Sequence, residues 1–98
     1  MSSTAFTPDA IAVASEHQLS TTLSGEVVIL GLRDTVYYGL QEVGTRVWDL
    51  LQTPRSIRQI VEQIVAEYDV SEQTATADVC GLLGELHERG LVTIESAR

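Results

Sequence analysis

From Gln18 to Leu40 apolar and polar residues follow a strand-like rhythm. Leu19, Thr21 and Leu23 alternate with Ser20 and Thr22, the period-two pattern of a half-buried strand. Ser24-Gly25 is a two-residue hairpin signal, because glycine enters positive φ without a steric penalty. Glu26 to Leu32 is apolar at nearly every position, as expected of a central strand covered on both faces. Arg33-Asp34 is a weaker turn signal, and Thr35 to Leu40 (TVYYGL) is rich in β-branched and aromatic residues. Together these segments predict a three-stranded meander whose first and third strands are edges. Val27 and Ile29 fall on one face of the middle strand, with Val28, Leu30 and Leu32 on the other. Helices can cover only one of these faces. The other is left to Ile11 and Val13 of the N-terminal arm, to a second copy, or to a partner.

From Glu42 onward the period becomes helical. Val43, Val47, Leu50 and Leu51 share one face, widened by Trp48, until Pro54 forces a turn. Ser56 and Gln59 form a capping-box pattern ahead of Ile57, Ile60, Val61, Ile64, Val65 and Tyr68. Ser71 is a candidate N-cap for a third helix carrying Ala75, Val79, Leu82, Leu83 and Leu86, which Gly90 ends. Leu91 to Ile94 has the composition of a short final strand. The predicted fold class is α+β and winged-helix-like: a three-stranded antiparallel β-sheet followed by three α-helices (βββααα), with the helices on one sheet face. Residues 1–14 read as a flexible N-terminal arm, 15–95 as the folded domain and 96–98 as a tail.

Composition narrows the function classes. The chain has 98 residues, 14 acids, 6 arginines and no lysine, for a formal charge of −8. That balance argues against a nucleic-acid partner or an anionic membrane surface, since phosphate affinity comes mainly from Lys and Arg. No apolar run approaches the roughly 20 residues of a membrane span. One cysteine permits no internal disulfide, so a cytoplasmic location is expected.

Catalytic chemistry is sparse. Cys80 and His87 are the one candidate nucleophile–base pair, yet seven residues along a helix set them roughly 10 Å apart. His17 has no metal-ligand spacing to other Cys, His or acid residues, and the glycines form no phosphate loop. No catalytic residue, metal or cofactor is therefore predicted.

The third strand offers a different chemistry. An edge without charge or proline leaves one row of backbone N–H and C=O groups open to an incoming extended peptide. The wide apolar face of the third helix is suited both to pack on the sheet and to line a groove beside that edge. Gly81 and Gly84 are unusual within a helix, costing about 1 kcal/mol each relative to alanine. Gly81 serves either close packing or a shallow groove.

The ordered set Tyr37-Tyr38-Gly39-Leu40, Val43-Gly44, Trp48-Asp49-Leu50-Leu51, Asp78-Val79 and Gly90-Leu91-Val92 resembles PqqD-type domains, the RiPP recognition elements. The likeness runs from about Leu19 to Ile94 and is greatest to the discrete leader-binding proteins of lasso-peptide pathways. It implies a non-catalytic protein that binds the leader segment of a ribosomally made precursor peptide by strand addition. A separate leader peptidase, and the cyclase of the pathway, are the further partners implied. The implied leader-binding residues are Val36, Tyr37, Tyr38 and Gly39 on the strand, and Ala75, Asp78, Val79, Leu82 and Leu86 on the helix. Asp78 is implied as a hydrogen-bond partner of the leader or the adjoining backbone, the alternative being a solvent-facing acid. Thr35, Gln41 and Gly31 depart from the family pattern, where glycine, asparagine and often a polar residue stand. The other readings are an acidic winged-helix interaction or dimerisation module and, behind it, a transcription factor. A monomer or weak homodimer is expected.

Overall fold

The computed structural model describes residues 7–16, 18–23, 26–31, 37–40 and 42–95. Among these residues six strands and three helices follow in the order β1 (Ile11–Ala14), β2 (Gln18–Leu23), β3 (Glu26–Gly31), β4 (Tyr37–Leu40), α1 (Val43–Leu50), β5 (Arg55–Ser56), α2 (Ile57–Glu67), α3 (Glu72–Glu88) and β6 (Val92–Glu95). The α+β class and the three-stranded antiparallel sheet followed by three helices are as predicted. That sheet has the order β2-β3-β4, with Leu19 opposite Leu30, Thr21 opposite Val28, and Val27 opposite Leu40. The turns read at Ser24-Gly25 and Arg33-Asp34 lie outside the described residues, as do His17, Thr35, Val36, Gln41 and the 96–98 tail.

A second sheet of order β5-β1-β6 takes in the end of the segment read as an N-terminal arm. Met1 to Phe6 lie outside the described residues, but Ile11–Ala14 is a strand held on both sides by antiparallel partners. The residues that seat it differ from those expected. Ala10 and Ala12 are buried, Ala12 completely, whereas Ile11 is 36% exposed and Val13 half-buried. Two alanines give no apolar periodicity of their own, so the strand is set by its ladder and its neighbours. Ala14 N–H donates to Leu51 O at 2.7 Å and Ser15 N–H to Leu91 O at 2.8 Å, tying the arm to both ends of the helical half.

Helix boundaries follow local chemistry. Ser56 Oγ accepts from Gln59 N–H at 3.1 Å while Gln59 Oε1 accepts from Ser56 N–H at 3.0 Å, completing the box before α2. Ser71 Oγ accepts from Thr74 N–H at 3.1 Å at the start of α3. Gly90 follows that helix at φ 74°, where a side chain would be strained. α1 starts without such help: its N-cap Glu42 makes no side-chain capping bond. A bidentate pair joins α1 to α2, Arg46 Nε and Nη2 donating to Glu67 at 2.8 and 2.9 Å. The Arg46 hydrogen bonds hold the Glu67 carboxyl below the ordinary glutamate range.

The core joins one face of the β2-β3-β4 sheet to all three helices and to β1 and β6. Val27, Ile29 and Leu40 meet Val47, Trp48, Leu51, Ile60, Ile64, Val79, Leu83, Leu86, Ala12 and Val92 in one buried cluster. On the opposite face Val28 and Leu30 remain half-buried. Ile11 and Val13, one of the covers expected for that face, sit instead in the second sheet.

Candidate functional site: an edge strand beside the third helix

Strand order makes β4 an edge of its sheet among the described residues. Its register sets Tyr37 opposite Leu30, Tyr38 opposite Ile29, Gly39 opposite Val28 and Leu40 opposite Val27. One side of β4 pairs with β3, which leaves its other row of N–H and C=O groups for an added strand. The strand carries no charge. Gly39 is exposed, and a Cβ placed there would meet no heavy atom within 4 Å. Its surface is open rather than sterically filled.

α3 reaches this edge through the start of α1. A Cβ at Gly44 would lie 3.4 Å from Leu40 Cδ2 and 3.8 Å from Leu82 Cδ2, so strand end, first helix and third helix converge there. Thr45 Oγ1 donates to Leu40 O at 3.1 Å, locking the end of β4 to the first turn of α1. Sequence reading did not place Gly44 in the site; the signal it carried was a glycine in the first turn of a helix.

The structure separates the predicted helix residues into two groups. Ala75, Val79 and Leu86 are 2%, 1% and 0% exposed and belong to the core beneath the helix. Leu82 is half-buried and Asp78, one turn earlier, is exposed and without a hydrogen bond or ion pair among the described residues. Leu82 is therefore the predicted α3 residue that reaches the strand end at Gly44, while Ala75, Val79 and Leu86 lie in the core. Gly81 is exposed, and a Cβ there would touch nothing within 4 Å, so close packing does not explain it. Gly84 is buried. Val36 lies outside the described residues, and for Tyr37 and Tyr38 it is the backbone that the structure defines.

Other chemistry finds no assembly. Cys80 is half-buried on α3, and His87 is exposed near the end of the same helix. Among the described residues no three His, Cys, Asp or Glu side chains are grouped to hold a metal ion. No described helix is long and apolar enough to cross a membrane.

Comparison with known proteins bears on this geometry. Among curated proteins none matches the chain significantly. Two solved structures share its fold. One is TbiB1 in complex with the TbiA(beta) leader peptide, 35% identical, with a TM-score of 0.76 over 82% of this chain and 93% of that one. The other is a lasso peptide synthetase B1 complexed with the leader peptide, 20% identical, with a TM-score of 0.75 over 84% of this chain and 96% of that one. Residues 26–92 match the family described as coenzyme PQQ synthesis protein D (PqqD), a span that includes β3, the edge strand β4 and all three helices. The chain belongs to the PqqD family.

Proposed function

We propose that this protein is a non-catalytic recognition element that binds the leader segment of a ribosomally synthesised precursor peptide of the lasso type. The leader adds as a strand to β4, lays apolar side chains against Leu82, and is presented to a separate leader peptidase. One observation carries the reading: an uncharged open edge strand lies beside a half-buried leucine, in a chain 35% identical to a protein solved with its leader peptide.

Magnitudes assign the roles. Ordering four leader residues costs about 4–8 kcal/mol of backbone entropy at 1–2 kcal/mol each. Four ladder hydrogen bonds return about 2–6 kcal/mol at 0.5–1.5 each. Pairing alone therefore falls short by about 2 kcal/mol, and affinity must come from burial, about 1.5–3 kcal/mol for each fully buried apolar side chain. The strand sets direction and register; the cleft beside α3 sets strength and selectivity. Ala75, Val79 and Leu86 hold the helix that carries Leu82, and in this reading Asp78 accepts a hydrogen bond from the leader or the adjoining backbone.

A titration with labelled precursor leader tests this. Wild-type protein is expected to bind at micromolar or lower concentration. Successive residues of a strand direct their N–H groups to opposite sides, so Tyr37→Pro and Tyr38→Pro remove one outward donor and one donor to β3. The outward variant should keep its melting temperature within a few degrees and lose at least tenfold in affinity, while the other should lose stability. Leu82→Glu, which sets a charge against the apolar cleft, should also lose at least tenfold. No leader binding, or binding indifferent to all three changes, refutes strand addition at this edge. The acidic surface of α3 gives no support to a DNA-reading alternative: Glu72, Asp78, Glu85 and Glu88 are all exposed.

A further inference from the structure

A second groove lies on the other flank of α3. Its floor is apolar, with Val61 buried and Val65 half-buried on α2. Glu62 on α2 and Glu72 on α3 line both adjoining volumes, of about 290 and 220 Å³. Neither carboxylate has a hydrogen bond or ion pair among the described residues. The cation at this rim, Arg58, is already bound by Asp9, and its N–H donates to Pro8 O at 2.9 Å. Cys80, half-buried, lines the far end.

With about 100° of rotation per residue, the row Glu72, Thr76, Cys80 points roughly 140° away from Asp78 and Leu82. No residue of the groove lies on β4, so leader and groove ligand can occupy α3 together. The groove combines an apolar floor with the carboxylates of Glu62 and of Glu72, the latter in the first turn of α3. A second copy of a chain with 14 acids and 6 arginines brings acid to acid. Charge complementarity selects the opposite kind of partner.

We propose that the α2–α3 groove docks a segment of a different protein in which an apolar side chain seated on Val61 and Val65 is flanked by arginine or lysine. The contact stands apart from leader binding: it uses different residues and fails by different variants.

The probe is a fluorescein-labelled decapeptide with two leucines flanked by arginines. One control replaces the arginines with glutamates, and another replaces the leucines with serines. The full-length protein should bind the arginine–leucine peptide at least tenfold more tightly than either control. Glu62→Arg combined with Glu72→Arg, both at exposed positions, should weaken that binding at least tenfold. Bound peptide should slow alkylation of Cys80 severalfold. The precursor leader should bind the same variant within twofold of wild type. If the doubly reversed protein fails to fold by circular dichroism, Glu62→Gln with Glu72→Gln replaces it, with an expected loss of threefold or more. Equal binding of the serine control, indifference to the glutamate changes, or an unprotected Cys80 overturns the proposal. A fall in leader affinity in the groove variant overturns its independence from the leader. Self-association, read by light scattering, that the glutamate changes abolish overturns the proposal itself, because the occupant is then a second copy.

Discussion

Glu42 holds φ 52° and ψ −117°, a conformation open to glycine and strained for a residue with a Cβ. It sits where the chain leaves the edge strand for α1, and its carbonyl accepts the bond from Arg46 N–H at 3.1 Å. The neighbouring contacts that hold it are the Thr45 hydroxyl on Leu40 O and the packing of Leu40 against Gly44. Such a conformation costs on the order of 1–3 kcal/mol. Glycine at this position relieves that cost and surrenders roughly 0.5–1 kcal/mol through the freedom of the unfolded chain. Glu42→Gly is therefore expected to stabilise the protein by about 1 kcal/mol, raising the melting temperature by about 4–8 °C for a domain of this size. Glu42→Ala keeps the Cβ and should show no such gain, so thermal denaturation of the pair separates backbone strain from loss of charge. The missing cap was legible, because neither Gln41 nor Glu42 is a favourable N-cap. The positive φ was not, since glutamate has no preference for it. Only the need to turn from β4 into a helix packed on Leu40 imposes it.

At the scale of elements, α3 shows how far periodicity reaches. Ala75, Val79 and Leu86 were read on its apolar face, and all three are buried there. Between the adjacent candidates Leu82 and Leu83, spacing cannot choose, because both lie within an apolar arc wide enough to hold them. The fold decides: Leu83 is fully buried and Leu82 is left half-buried next to the strand edge. That difference defines the candidate site, and it depends on which neighbours cover each flank. Caps, by contrast, are local and were readable at Ser56, Ser71 and Gly90. Gly81 is the remaining irregularity of α3. Its side-chain space is empty, so the helix loses propensity there without gaining a packing contact. Gly81→Ala should stabilise the protein by about 1 kcal/mol, seen as a shift of the urea midpoint at constant slope. If the bare backbone at this position receives leader side chains, the same variant weakens leader binding while strengthening the fold. Measured together, the two effects have opposite signs.

At the scale of the whole molecule, sequence order hid one structural join. The meander and helices were legible because each carries its own period. β1 carries none, and its partners β5 and β6 lie more than 40 residues away in the chain. Only their proximity in the fold reveals that Ile11–Ala14 is the middle strand of a sheet. A middle strand is paired on both sides, and here its neighbours include the turn after α1, the start of α2 and the end of the chain after α3. Ile57 N–H donates to Ala10 O, Ala14 N–H to Leu51 O and Ser15 N–H to Leu91 O, so one short segment clamps all three helices. Removing residues 1–14 deletes the whole ladder on β5 and β6 and opens the core at Ala10 and Ala12. Hydrogen bonds contribute about 0.5–1.5 kcal/mol each, and orphaned buried partners cost about 1–3 kcal/mol more. Several such losses are comparable with the entire stability of a small domain, about 5–15 kcal/mol. A protein beginning at Ser15 is therefore expected to lose cooperative thermal unfolding, although β2-β3-β4 and every residue of the candidate leader cleft remain in its sequence. A dispensable arm predicts the reverse: a transition within a few degrees of wild type and unchanged leader affinity. Circular dichroism melts of the 15–98 and full-length chains, read beside a leader titration of each, decide between a peripheral arm and a strand on which the helical half depends.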